Sequence, residues 1–287
     1  MRIGVVAHPR KNIARLTKME IIKETAFLVS QGADIELVVE EGLSRGRDFT
    51  GIRYQCVRDM DVDLVICIGG DGTILRTMQL TSVPVLGLNA GSLGFLMEPY
   101  PSNIRALLED LLNDRFIVEE RTKLSTVLND ERLPDAVNEA VVMTGTPSKI
   151  QDLVISINGE QGLAMRADGV IVSTPTGSTS YALSAGGSII DPRLPALEIV
   201  PIAPFRVNIR PLTVPDNFKI DLKVIHRSRS AIISIDGNYK RRINYRDRLS
   251  FTRSGSPARF IRFEGGFYKR LNEKILNYVH SPKETLI

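Results

Sequence analysis

Asp63-Leu64-Val65-Ile66-Cys67-Ile68-Gly69-Gly70-Asp71-Gly72-Thr73 is the stretch on which the reading of this chain turns. Its apolar run, 64–68, predicts a strand buried on both faces, the signature of a parallel sheet covered by helices. The run stops abruptly in glycines, and a helix is predicted over 73–79. In open α/β sheets, ligands bind beyond the carboxyl ends of the strands. Glycines there let backbone N–H groups approach phosphate oxygens, and a helix N-terminus adds unpaired donors. The phosphate loop GxxxxGK[ST] is absent. An aspartate repels anions, so Asp71 among these glycines reads as acting on a proton or a metal, or as a helix cap.

Working outward, residues 2–7 predict a first strand and 17–31 a helix, with Ile21, Ala26 and Leu28 among its apolar positions. Strands follow at 34–39 and 85–88, and a helix at 104–112. This alternation predicts an open, mostly parallel sheet. From about Phe116 the pattern changes to strands joined by short turns. Asn158-Gly159 separates 153–157 from 163–165, a hairpin signal. Phe218, Ile220, Leu222 and Val224 alternate as a half-buried strand does. Asp236-Gly237 marks another tight turn. A last strand, 259–263, meets Gly265-Gly266, and a helix over 268–279 closes the pattern. The expected organisation is an α/β domain over 1–115, with the helix at 266–280 packing back on it. A β-rich domain over 116–265 follows, with a cleft between the two.

Composition narrows the classes. With 287 residues, 43% of them hydrophobic, the chain can bury a sizeable core. No apolar run approaches the ~20 residues that cross a bilayer, and the N-terminal apolar run is too short for a signal peptide. The reading is a cytoplasmic protein without a membrane partner. Cys56 and Cys67 form no CxxC or Cys/His pattern and are expected to be reduced, packed side chains. His8, His226 and His280 are scattered, with no zinc spacing. The net charge of +4 suits an anionic ligand. Lys240-Arg241-Arg242 reads as a solvated hairpin face, and no interleaved aromatic pattern points to nucleic acid.

The GGDGT segment resembles that of a kinase superfamily containing NAD kinases, lipid kinases and phosphofructokinases. Three further segments resemble NAD kinases in particular. These are Asn89-Ala90-Gly91-Ser92-Leu93-Gly94-Phe95-Leu96, similar to NxGxLGFL, then Asn138-Glu139-Ala140, and then the long run from Asp168 through Thr174-Pro175-Thr176-Gly177-Ser178-Thr179-Ser180-Tyr181 to Ser184-Ala185-Gly186-Gly187. Pro201-Ile202-Ala203-Pro204, Arg210-Pro211-Leu212 and Asp236-Gly237 continue the likeness in the family's order.

The resemblance implies transfer of a phosphoryl group from ATP or inorganic polyphosphate to the 2′-hydroxyl of the adenosine ribose of NAD. Asp71 is the implied base, and Gly70, Gly72, Thr73 and Arg76 the donor-phosphate contacts. The NAD site would comprise Asp71, Gly72, Phe95, Asn138, Glu139, Arg166, Asp168, Thr179, Ser180, Tyr181 and Ser184. A charged residue at Arg166 accompanies preference for NAD over NADH in the family. No dense carboxylate cluster is evident, so a divalent ion, magnesium, is expected to arrive with the donor. A homodimer or homotetramer is implied. Phe95 also reads as core packing, Arg76 as a salt-bridged helix residue, and Asp236 as one half of a type I′ turn. The rivals are a lipid kinase, which should lack the later segments, and a dinucleotide sensor without turnover.

Overall fold

The computed structural model describes residues 1–41, 52–91, 94–146, 149–206, 208–225, 230–263 and 266–276. The first half contains β1 (Arg2–Ala7), α1 (Asn12–Ser30), β2 (Glu36–Glu40), β3 (Arg53–Gln55), β4 (Leu64–Gly69), α2 (Asp71–Leu80), β5 (Val85–Asn89), α3 (Ile104–Leu112) and β6 (Ile117–Arg121). The second half contains β7 (Leu124–Leu128), β8 (Glu131–Arg132), β9 (Glu139–Thr144), β10 (Gln151–Ile157), β11 (Glu160–Ala167) and β12 (Gly169–Ser173). A 3-10 turn over Thr176–Thr179 leads to α4 (Tyr181–Ser184). Then come β13 (Ala196–Ile202), β14 (Leu212–Pro215), β15 (Ile220–Val224), β16 (Ala231–Ile235), β17 (Tyr239–Ile243), β18 (Arg248–Arg253), β19 (Ala258–Arg262) and α5 (Phe267–Leu271).

The strand predicted at 64–68 is β4, at the centre of a seven-stranded sheet of order β3-β2-β1-β4-β5-β19-β6. All its pairings are parallel except β19 with β6. The two-sided burial follows from the alternation of side chains along a strand. Ile66 and Ile68 pack with Ile21 of α1 and Leu108 of α3. Val65 and Cys67 pack with Ile74 and Met78 of α2. Both helix-covered faces are therefore apolar, and the polar ends of the strands are left for chemistry.

The second domain stacks two six-stranded antiparallel sheets, β11-β10-β15-β18-β7-β8 and β14-β13-β12-β9-β16-β17. Leu153, Ile155, Leu222 and Phe251 of the first meet Val170, Val172, Ile233 and Ile235 of the second in one core, as face-to-face sheets do. The predicted hairpins form. Asn158 and Gly159 have φ of 50° and 85°, and Asp236 and Gly237 have 46° and 69°, the positive pair a type I′ turn needs.

Several boundaries move. Helix α1 begins at Asn12, a turn before the predicted start, and β3 was not predicted. The last strand, β19, does not finish the β-rich domain: it pairs with β5 and β6 in the first sheet. Sheet membership therefore crosses the expected division at 116–265 at both ends. Cys67 is buried as expected, whereas Cys56 is exposed. The last helix forms as α5, followed by a wider π turn over Asn272–Leu276, and Arg270 of α5 meets Glu98 at 3.3 Å. The remainder of the predicted helix, with His280, lies outside the described residues, as do Ser92, Leu93, His226 and Gly265.

Candidate active site

At the carboxyl end of β4 the chain turns through Gly70, the N-cap of α2, and Asp71 is the first helical residue. The Asp71 side chain does not cap its own helix. Its carboxylate accepts hydrogen bonds from the backbone N–H groups of Phe95 at 2.8 Å and Leu96 at 3.1 Å. The Asp71 side chain thus joins the GGDGT loop to the NxGxLGFL loop, beside the backbone bond from Ala90 N–H to the Gly69 carbonyl at 2.7 Å. Gly94 is required by the contact, because a Cβ there would overlap the Asp71 carboxylate. The two loops leave the ends of adjacent parallel strands, β4 and β5.

Beside this junction lies a cavity of about 410 Å³, whose lining includes Gly70, Gly72, Thr73 and Arg76 together with His8, Lys11 and Asn238. Four predicted donor-site residues are therefore brought together. Lys11 was not predicted, yet its ammonium sits between the two loops. A Cβ added to Gly70 would come within 3.7 Å of it, and one on Gly91 within 3.0 Å. Arg76 meets both readings made of it: it lines the cavity and also holds Glu40 at 2.9 Å. Burial raises the pKa of the Glu40 carboxyl, against the opposing charge of Arg76. The cavity is cationic and glycine-rich, which suits phosphate. Among the described residues no three His, Cys, Asp or Glu side chains converge as a metal cage.

A second cavity, of about 370 Å³, is apolar along Val141, Met143 and Ile232, with Glu139, Tyr181 and Lys240 at its polar positions. It has the character of a slot for a flat ring. Glu139 is nine-tenths buried, as is Asn138. Asn138 Oδ1 and Glu139 Oε2 have no hydrogen-bond partner among the described residues. Such atoms are costly to bury unsatisfied, and they mark a place where a ligand can bond. Burial first, and the charge of Asp236 second, push the Glu139 carboxyl up to about 8, with the Ser180 hydroxyl pulling the other way.

Asp236 does more than shape its type I′ turn. Its carboxylate accepts the N–H groups of Val137, Asn138 and Glu139 at 2.8, 2.8 and 3.1 Å, and also bonds Gln79 of α2 at 3.2 Å. Burial raises its pKa, and those four bonds oppose the rise. The β16–β17 turn thereby fixes the Asn138–Glu139 segment and ties the two domains together. The same turn lines both cavities, through Asn238 in the first and Gly237 in the second.

The hydroxyls of the Thr174–Thr179 run divide in two. Thr174 Oγ1 donates to the Val137 carbonyl at 2.6 Å, and Ser178 Oγ exchanges hydrogen bonds with Ile190. These hold the turn against the Asn138 segment, so closely that a Cβ on Gly177 would overlap the Asn138 backbone. Thr179 Oγ1 bonds the Thr176 carbonyl at 3.4 Å. Ser180, Tyr181 and Ser184 lie at or beyond the surface side of the turn, and Tyr181 lines the second cavity. Phe95 is half-buried, with the Lys274 ammonium 5.2 Å from its ring centre. Arg166 lies on the edge strand β11, paired with Asp152 at 3.2 Å and set over Phe205. Asp168 joins β11 to β12, its carbonyl accepting from Thr144 N–H.

Residues 3–116 match the family model of the ATP-NAD kinase N-terminal domain, and residues 137–263 that of the ATP-NAD kinase C-terminal domain. The NAD kinase of Methanothermobacter thermautotrophicus is 42% identical over 282 residues, covering 96% of each chain. This chain belongs to the NAD kinase family. The NAD kinase of Thermococcus kodakarensis is 39% identical over 283 residues, covering 96% of this chain and 99% of that one. Among solved structures, an NAD kinase from Archaeoglobus fulgidus in complex with ATP superposes with a TM-score of 0.73 at 28% identity, covering 96% of this chain and 97% of that one. A yeast NADH kinase complexed with NADH has a TM-score of 0.86 at 24% identity, covering all of this chain and 90% of that one, and so shares the fold. The two-domain NAD kinase fold, a mostly parallel sheet followed by antiparallel sheets, is the architecture described above. No described helix is long and apolar enough to cross a membrane.

Proposed function

We propose that this NAD kinase transfers the terminal phosphoryl group of ATP to the 2′-hydroxyl of the adenosine ribose of NAD, with Asp71 as the base. The observation that carries the reading is the position of the Asp71 carboxylate. It stands between the two glycine loops, beside a cationic cavity, while the turn at 236–238 links that cavity to an apolar slot holding unsatisfied polar atoms.

In this assignment Lys11, Arg76 and the N–H groups of Gly70 and Gly72 hold the donor phosphates, with the Thr73 side chain beside them, since the Thr73 N–H already donates to the Gly70 carbonyl at 2.8 Å. Asn138 and Glu139 hold the adenosine, with Ser180, Tyr181, Ser184, Thr179, Asp168 and Phe95 around the dinucleotide. The ribose oxygen bonds to the terminal phosphorus as the bond from that phosphorus to its bridging oxygen breaks. The electron pair leaves with the diphosphate, and the hydroxyl proton passes to Asp71. Such a transfer depends mainly on alignment and charge neutralisation. A divalent ion, magnesium, would enter on the donor's own phosphates.

The complex of the Archaeoglobus fulgidus relative supports ATP as donor, with inorganic polyphosphate as the alternative. NAD preference over NADH is proposed on Arg166, and a cytoplasmic homodimer or homotetramer on the family. Purified protein given NAD and magnesium with either ATP or polyphosphate should form NADP with at least one donor. Absence of NADP with both, or phosphorylation of detergent-presented diacylglycerol instead, would overturn the assignment.

A further inference from the structure

The C-terminal segment reaches back to the catalytic loops and is locked there by charge. Arg262 bonds the Leu96 carbonyl at 2.9 Å and Glu98 at 2.6 Å, and Arg270 of α5 meets the same Glu98 at 3.3 Å. Glu119 takes Arg262 at 3.2 Å and Arg121 at 3.0 Å. This network fixes α5 against the stretch that begins with Phe95 and Leu96, the two residues whose N–H groups hold Asp71.

One turn further on stands Lys274. Its Nζ is sealed from solvent and has no hydrogen-bond acceptor among the described residues. Among the described residues the face of Phe95, 5.2 Å away, receives it directly. Asp71 is the nearby charge that most favours its protonated form; Glu273 acts in the same direction, while Arg270, Arg262 and above all burial act against it. An ammonium without an acceptor is expensive to bury, and a ring face returns only part of that cost. Among the described residues it has neither of the ordinary outcomes, a salt bridge or a route to solvent for Nζ. What remains is an acceptor that arrives with the substrates, at the place where the phosphoryl group must pass.

We propose that Lys274 is a further catalytic residue, its ammonium bonding a phosphoryl oxygen beside Asp71 while the group is in transit. Asp71 places a negative charge where more negative charge must approach. Lys274 supplies the compensating positive charge from the opposite end of the chain, keeping its own proton throughout. Lys11 and Arg76 serve the donor from their own cavity, whereas Lys274 serves the point of transfer. The inference rests on the assignment of Asp71 as the base.

The test uses full-length Lys274→Met, Lys274→Arg and Asp71→Asn, with kcat, KM for both substrates and thermal midpoint measured for each. Methionine keeps the length and removes the charge. The expected result is a fall in kcat of ~10²-fold or more, as for loss of one donor to a developing oxyanion, with KM for NAD within about threefold. The midpoint should hold or rise, because an unpaired buried charge has been removed. Arginine should restore part of the rate. A kcat for Lys274→Met within about twofold of the parent overturns the proposal. A lowered midpoint with no recovery by arginine also overturns it, since Lys274 would then be packing against Phe95 and nothing more. Near-normal turnover of Asp71→Asn alongside a dead Lys274→Met would remove the base and leave the cation in place.

Discussion

Replacing Asp71 by asparagine keeps the shape of the junction and removes the proton acceptor. Asparagine can still accept from one of the two N–H groups of Phe95 and Leu96, but its amide nitrogen faces the other. Turnover should fall by ~10²–10⁴, the usual cost of losing a general base, with NAD affinity by calorimetry little changed. Near-normal turnover would reduce Asp71 to a loop tie. Glu139 gives a prediction of a different kind. Its pKa is raised in the folded protein, from 4.5 to about 8. The stability it lends belongs to the protonated form: complete below 4.5, it drains away as pH rises towards about 8. Glu139→Gln carries no such dependence. Melting curves by circular dichroism from pH 4 to 9 should show the variant gaining on the parent across that window, then keeping a constant difference from it above about pH 8. Curves that stay parallel throughout would mean the carboxyl is not held out of water as described.

At the scale of elements, the contact between the β4–α2 and β5 loops is the sensitive one. Gly94→Ala places a methyl group on the Asp71 carboxylate, so that side chain must leave its two N–H partners. Turnover should drop by at least ~10-fold with only a small fall in thermal midpoint, because the added methyl displaces the Asp71 carboxylate and leaves the core contacts of Ala90 and Leu96 in place. A fully active variant would show that the carboxylate does not need this seat. Elements with strong local patterns were legible in the sequence. Leu64–Gly69, Ile104–Leu112 and the Asn158-Gly159 hairpin form where pattern and turn chemistry placed them. The early start of α1 leaves no mark in the sequence, because Lys11 at its N-cap makes no side-chain cap bond and Ile13 and Leu16 face solvent. Strand β3 has three residues, too few to show alternation. In the site, the glycine loops and Asn138-Glu139 were visible as patterns. Lys11 and Lys274 were not: each is one basic residue among several in its stretch of sequence, and what distinguishes them is placement by distant parts of the chain. The structural part of Asp236 was hidden for the same reason, since its partners lie about a hundred residues earlier.

For the whole molecule, the two domains are joined by few but well-placed bonds. The buried Lys123 ammonium donates to the carbonyl of Met78 at 3.0 Å, and Gln79 reaches Asp236. Both bonds fall at the end of α2, the helix that starts at Asp71, so the catalytic loop and the dinucleotide slot are held in register by one helix. The covalent path crosses twice more, through β6 and β19. A chain ending at Pro257 would lack β19 and leave β5 without its neighbour. It should be recovered mainly from the insoluble fraction, or bind a hydrophobic dye strongly; a soluble, cooperatively melting product would show that β19 is dispensable.

The position of β19 has a consequence for how the protein is born. Synthesis runs from the first residue onward, and domains generally fold as they emerge. Here the N-terminal sheet leaves the ribosome with a strand missing from its middle, to be delivered only after about 170 further residues have been translated (from Asn89 to Ala258). Throughout that interval β5 offers an open row of backbone donors and acceptors to any passing strand, the exposure that promotes wrong pairings. The β-rich domain has all its own strands by Arg253 and can fold first. The earliest residues made would thus be among the last to become native, and the nascent chain carries its greatest aggregation hazard in the half that holds the catalytic aspartate.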